Sequence, residues 1–148
     1  MRRLQTECYT INSCLRPWIL RKAHFFLINP EKYDMTILYG IPNCDTVKKA
    51  RAWLAEHGQD HSFHDFKKQG VPPEQLARWA NAAGWEKLLN RKGTTWRKLD
   101  AATQAAVVDA KSAQAVMLAN PSVIKRPVVD WGSDITVGFD AADWEARV

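Results

Sequence analysis

At 148 residues, 46% hydrophobic and 25% charged, the chain has the length and composition of one globular domain with a sizeable core. No apolar run approaches the roughly 18 residues needed to cross a bilayer, and Arg16, Pro17, Arg21 and Lys22 interrupt any signal-peptide core. The net charge of +5 is spread along the chain and forms no basic run, which favours small anions over direct nucleic-acid binding.

Residues 1–34 mix cysteines, basic residues and a short apolar patch without a sustained period. They read as an N-terminal extension, either a mis-assigned start or a disordered segment, ahead of a domain spanning 35–148. Cys8, Cys14 and Cys44 have irregular spacing that fits neither a disulfide framework nor a four-ligand zinc site. A reducing, cytoplasmic setting is expected.

From Met35 the signals alternate. Thr36 to Tyr39 is a short β-rich run ended by the turn Gly40-Ile41-Pro42-Asn43. Asp45 to His57 is predicted helical, with Val47, Ala50 and Leu54 on one face and Gly58 as the stop. Ser62 to Phe66 is a second strand, parallel to the first if the helix is a crossover. A helix opened by Pro72-Pro73 follows, carrying Leu76, Trp79, Ala80 and Ala83 on one face, then a turn over Trp85 to Leu89. Asp100 to Ala110 is predicted as another helix, and Ser112 as the cap of a third that Asn120-Pro121 ends. Val123 to Val129 is β-like but contains Pro127, so it is expected at an edge or a special bend. Ile135, Val137 and Phe139 alternate as a last strand, and Asp140 caps a final helix carrying Trp144. The order is βαβ, a helical block, then ββα. Around one mixed sheet this is an α/β, thioredoxin-like arrangement with a helical insertion between its halves.

The chemistry concentrates at YGIPNCDTVKKA. Cys44 sits where a strand turns into a helix, and the first helical N–H groups have no intrahelical partners. Together with the helix dipole they favour thiolate over thiol and can hold an anion beside the sulfur. Asn43, Asp45 and Thr46 flank the thiol, and Thr46 adds a hydroxyl donor. A free cysteine is more often a small buried hydrophobe; the strand–turn–helix placement is what favours a reactive one. In VIKRPVV, Arg126 precedes Pro127. In a thioredoxin-like fold this X–Pro bond is commonly cis and faces the reactive cysteine, which brings Arg126 toward the thiolate. Taken alone, the same residues read better as an ordinary surface arginine before an edge-strand proline. In LLNRKGTTWRKLD, Arg91, Lys92, Arg97 and Lys98 form either a basic wall for an anionic substrate or a solvated charged loop. His24, His57, His61 and His64 form no metal-ligand pattern, and no metal site is expected.

With these three segments in this order, the chain resembles the arsenate reductase-like (ArsC/Spx) family over Thr36 to Arg147. The likeness is greatest to its branch of glutathione-dependent thiol reductases. That resemblance implies a cysteine nucleophile at Cys44 and substrate contacts from Arg126, with Pro127 cis. It also implies an arginine from the insertion, matched approximately by Arg91 or Lys92. A third arginine is implied in the last strand, where this chain has Val137, Gly138 and Phe139, and Gly40 stands where a histidine precedes the cysteine. These departures point away from arsenate. The expected activity is a mixed-disulfide thiol reductase with glutathione as co-substrate, glutaredoxin or other thiol–disulfide substrates as partners, and no tightly bound cofactor. The alternative is an Spx-like regulator that binds RNA polymerase. Spx regulators that sense redox carry a second cysteine three residues on, where this chain has Val47.

Overall fold

In the computed structural model, residues 35–148 are described, so the expected extension at 1–34 lies outside the described residues. Strand β1 (Thr36–Gly40) leads through the turn into helix α1 (Asp45–Glu56), which returns the chain to β2 (His61–Asp65). β1 and β2 pair in parallel from Thr36↔His61 to Gly40↔Asp65, as a crossover helix requires. Val47, Ala50 and Leu54 are the buried face of α1. The second strand stops one residue short of Phe66. The Asp65 carboxylate accepts the Lys67 N–H at 2.9 Å, which caps a short helix α2 (Phe66–Gln69) instead.

The insertion comprises α3 (Pro73–Ala83), α4 (Trp85–Leu88), α5 (Thr94–Lys98), α6 (Ala101–Ala105) and α7 (Ala110–Ala119). It differs from the expected helices in two places. The Gly93-Thr94-Thr95 loop continues into α5, which buries Trp96. The helix expected over Asp100 to Ala110 ends early, because Asp109 starts the next one. Asp109, not Ser112, is that N-cap. Ser112 is the reciprocal partner: its N–H donates to Asp109 Oδ1 at 2.7 Å, and its Oγ accepts the Asp109 N–H at 3.1 Å.

The chain then forms β3 (Val128–Asp130), β4 (Ile135–Val137) and α8 (Ala141–Glu145), the last capped by Asp140. The sheet order is β2-β1-β3-β4, with β3 antiparallel to both of its neighbours. β3 is therefore interior, so of the two alternatives that Pro127 implied, an edge or a special bend, the second holds: the Arg126–Pro127 bond is cis. The proline precedes the first paired residue, so no ladder hydrogen bond needs its missing N–H.

Side chains alternate across this mixed sheet into two cores. Leu38 and Val129 join Val47, Ala50, Leu54 and Trp144 beneath α1 and α8. Tyr39 and Val128 join Trp79, Leu88, Met117 and Ile124 beneath the insertion. This is the α/β, thioredoxin-like architecture with a helical insertion. It brings the C-terminal end of β1 and the loop before β3 together at one end of the sheet.

Candidate active site

Cys44 is the N-cap of α1, with extended backbone (φ −106, ψ 122) and a half-buried side chain packed against the α1/α8 core. Its N–H closes the preceding turn on the Ile41 carbonyl at 3.2 Å, and its carbonyl accepts the first helical bond from Lys48 N–H at 2.9 Å. Its side chain caps nothing. The sulfur is thus held at the positive end of a 12-residue helix without being consumed as a cap.

Two details explain why the local sequence is built this way. An added Cβ on Gly40 would meet Val47 Cγ2 at 2.8 Å, closer than carbon atoms tolerate. The position implied for a histidine is therefore closed by the first turn of α1. Val47 itself is fully buried, so the residue three after Cys44 serves the core.

Arg126 arrives from the other half of the fold. The Arg126–Pro127 peptide bond is cis. The segment before it is tied to the insertion by Lys125 N–H to Leu88 O (2.7 Å), Asn90 N–H to Val123 O (2.8 Å) and a bridge between Leu89 and Ile124. Arg126 Nε is buried and has no hydrogen-bond partner among the described residues. A guanidinium donor held that way costs free energy until something accepts from it.

Two clefts meet at this pair. The larger, of about 680 Å³, runs from Cys44 along β4 to the start of α8, past Lys125, Gly138 and Asp140. The smaller, of about 510 Å³, lies between the Cys44 turn, α2 and α5, past Lys67, Thr95 and Ser122. Cys44, Thr46 and Arg126 line both. Asn43 and Asp45 line only the smaller, and the Asp45 carboxylate lies 3.7 Å from Lys48 Nζ.

The basic loop is placed differently. Arg91 lies over the rings of Trp85 and Trp96, at 5.6 and 5.7 Å from their centroids. The Lys92 carbonyl accepts from Arg97 Nη2 at 3.0 Å. Neither Arg91 nor Lys92 lines a cleft that contains Cys44. The basic residues that do, besides Arg126, are Lys87, Lys125 and Arg147 in the larger cleft and Lys67 in the smaller; Asp140 and Asp143 also line the larger and Asp45 the smaller. Lys67, Lys87, Lys125 and Arg147 come from four separate segments of the chain, and only the fold brings them to the clefts. The described histidines bond to backbone: His57 to Trp53 O (2.8 Å), His61 to Gln59 O (3.3 Å) and His64 to Gly70 O (2.9 Å). Among the described residues no helix is long and apolar enough to cross a membrane.

Residues 39–147 match the ArsC family. An uncharacterized protein of Haemophilus influenzae is 38% identical over 112 residues, covering 76% of this chain and 97% of that protein. Among solved structures, the YFFB protein is 49% identical with a TM-score of 0.73, covering 76% of this chain and 97% of its own. An arsenate reductase (ArsC) related protein from Brucella melitensis is 51% identical with a TM-score of 0.61, covering 76% and 92%. The global transcriptional regulator Spx of Streptococcus pyogenes is 24% identical over 108 residues, covering 72% of this chain and 79% of that protein.

Proposed function

The chain belongs to the ArsC family, and on that premise we propose that it is a glutathione-dependent thiol reductase acting through Cys44. The observation that carries this reading is the pairing at the junction of the two clefts. A cysteine at a helix N-terminus shares both spaces with a guanidinium whose buried Nε lacks an acceptor among the described residues.

The reaction is a two-step exchange. The Cys44 thiolate attacks one sulfur of a disulfide formed between glutathione and a second thiol. A Cys44–glutathione bond forms, the original S–S bond breaks, and the second thiol leaves as thiolate and takes a proton from solvent. The thiolate of a second glutathione then attacks the glutathione sulfur, releasing oxidised glutathione and restoring the Cys44 thiolate. In sum the substrate mixed disulfide and one free glutathione give the released thiol and oxidised glutathione, half of which comes from the substrate itself. Because Val47 fills the core where a resolving cysteine would stand, the second glutathione takes the resolving role. Glutaredoxin is the protein partner suited to the same adduct.

Arsenate is the weaker substrate in this reading. Val137, Gly138 and Phe139, at and just past the end of β4, stand where a third arginine is implied. A missing charge-assisted contact to a small oxyanion costs about 1.5–3 kcal/mol, or roughly ten- to a hundredfold in affinity. Glutathione carries two carboxylates, which the arginine and lysines of the clefts can share.

The test is treatment of the full chain with oxidised glutathione, peptide mapping by mass spectrometry, and a coupled assay of mixed-disulfide reduction. An adduct on Cys44 and loss of turnover in Cys44→Ser are expected. Turnover that survives Cys44→Ser would sink the proposal. The similarity to Spx supports a second reading, an RNA polymerase-binding regulator. Recovery of polymerase subunits by wild type and Cys44→Ala alike, without exchange activity, would favour it.

A further inference from the structure

Lys125 and Gly138 fit together in a way the reaction above does not use. Gly138 has φ +93, a conformation that side-chain-bearing residues rarely adopt. A Cβ there would lie 3.4 Å from Lys125 Cε and 3.8 Å from its Nζ. The lysine therefore runs along the wall of the larger cleft over the face of β4's end that carries no side chain. Gly138 is fixed by its own N–H, which donates to the Pro127 carbonyl at 2.8 Å. Lys125 lines the larger cleft only, whereas its neighbour Arg126 reaches both.

The other charges of this cleft are largely occupied. Arg147 is paired with Asp134 and with Asp143, the latter at 3.2 Å. Asp140 accepts the N–H groups of Ala142 (3.1 Å) and Asp143 (3.4 Å) as the cap of α8. Lys125 forms no ion pair among the described residues, and the buried Arg126 Nε has no acceptor. The uncommitted positive charge along the approach to Cys44 is thus Lys125 and Arg126, with Lys87 lining the same cleft.

We propose that Lys125, laid over Gly138, is the residue by which the larger cleft selects carboxylate-bearing thiols and disulfides for Cys44. Arg126 contacts the reacting end of the ligand, and Lys125 receives a carboxylate further along. An ammonium on a flexible stem is a point charge that follows a carboxylate, unlike the rigid fork of an arginine. The inference rests on Cys44 being the reacting thiol. It does not require glutathione to be the physiological reactant.

The test compares two alkylating agents of nearly equal size, iodoacetate (anionic) and iodoacetamide (neutral). Rate constants are read at the Cys44 peptide of the full-length protein by mass spectrometry. Their ratio cancels any change in thiolate fraction, which a merely structural effect would alter for both reagents. Lys125→Gln is expected to lower the iodoacetate-to-iodoacetamide ratio about three- to tenfold at low salt. Lys125→Arg should restore it. Lys111→Gln, which removes the same charge from an exposed position on α7, should leave it unchanged. An unaltered ratio in Lys125→Gln overturns this inference alone. A Cys44 that neither reagent modifies overturns it together with the thiol reading, and a selective Cys44 that glutathione does not modify overturns only the glutathione assignment.

Discussion

Arg78 of α3 and Asp130 of β3 form a two-pronged ion pair across 52 residues of sequence, with Nη1 2.7 Å from Oδ2 and Nη2 3.4 Å from Oδ1. The Asp130 carboxylate is only 8% exposed, while the Arg78 side chain remains 48% exposed. Asp130 also accepts the Gly132 N–H at 3.0 Å, and Arg78 donates to the Gly132 carbonyl at 3.1 Å. The pair fastens the helical insertion to the interior strand that follows the cis proline. Arg78→Ala leaves a nearly buried carboxylate with one remaining donor. It is expected to lower stability by about 1–3 kcal/mol, the half-exposed guanidinium keeping the cost below that of a fully buried pair. Urea unfolding checks this: the midpoint should fall at unchanged slope. A loss under about 0.5 kcal/mol would place the pair with ordinary surface bridges.

Burial holds the Tyr39 phenol above its ordinary value of 10.0; the Asp130 charge pushes it the same way, and Arg78 pulls it back. An unfolded tyrosine ionises near 10, before the folded one does. Above about pH 10 the unfolded state therefore binds fewer protons, and stability falls as pH rises. Tyr39→Phe should flatten that decline, measured by urea unfolding between about pH 9 and 11. An equally steep decline in the variant would assign it to other groups.

Gly40 and Val47 are coupled by contact. Gly40→Ala forces its new methyl against Val47 Cγ2, at 2.8 Å before relaxation, and is expected to cost about 1–3 kcal/mol. In a Val47→Ala background the same substitution should cost less, because the obstructing methyls are gone. A double-mutant cycle measures this. Additivity within about 0.5 kcal/mol would show that the strand and helix move apart freely.

Arg126→Gln removes the charge-assisted donor at the cleft junction. The expected loss in kcat/KM toward a glutathione mixed disulfide is about ten- to a hundredfold, mainly through KM. Arg126→Lys should recover part of it, since an ammonium keeps the charge but not the fork. Steady-state kinetics on both variants, beside an unchanged circular dichroism spectrum, would decide it. A loss confined to kcat would mean that Arg126 acts on the transition state and not on binding.

The elements legible from sequence were those whose cause is local. The turn Gly40 to Asn43, the start of α1 beside Cys44, the apolar stripe Val47, Ala50 and Leu54, and the Asp140 cap all depend on residues within one or two turns. Where two local signals compete, the sequence alone does not choose between them. Asp109 and Ser112 both favour a helix start, and the reciprocal hydrogen bonds settle which one opens α7. Pro127 leaves an edge strand and a special bend open, and only the pairing of β3 with both β1 and β4 shows the ladder beginning one residue later.

Cys44 at a strand-to-helix turn, and Arg126 before a proline, were fixed by the chain itself, because a helix end and an X–Pro bond are short-range properties. What shares their space was decided by tertiary structure alone. Lys125 lies beside Gly138, 13 positions on, and both line the larger cleft. Arg91, basic and in the expected loop, is held instead over Trp85 and Trp96. Arg78 finds Asp130 because the insertion folds back on the sheet. The placement of the thiol is thus written locally, while the charges that share its clefts are set by long-range packing, which no local pattern encodes.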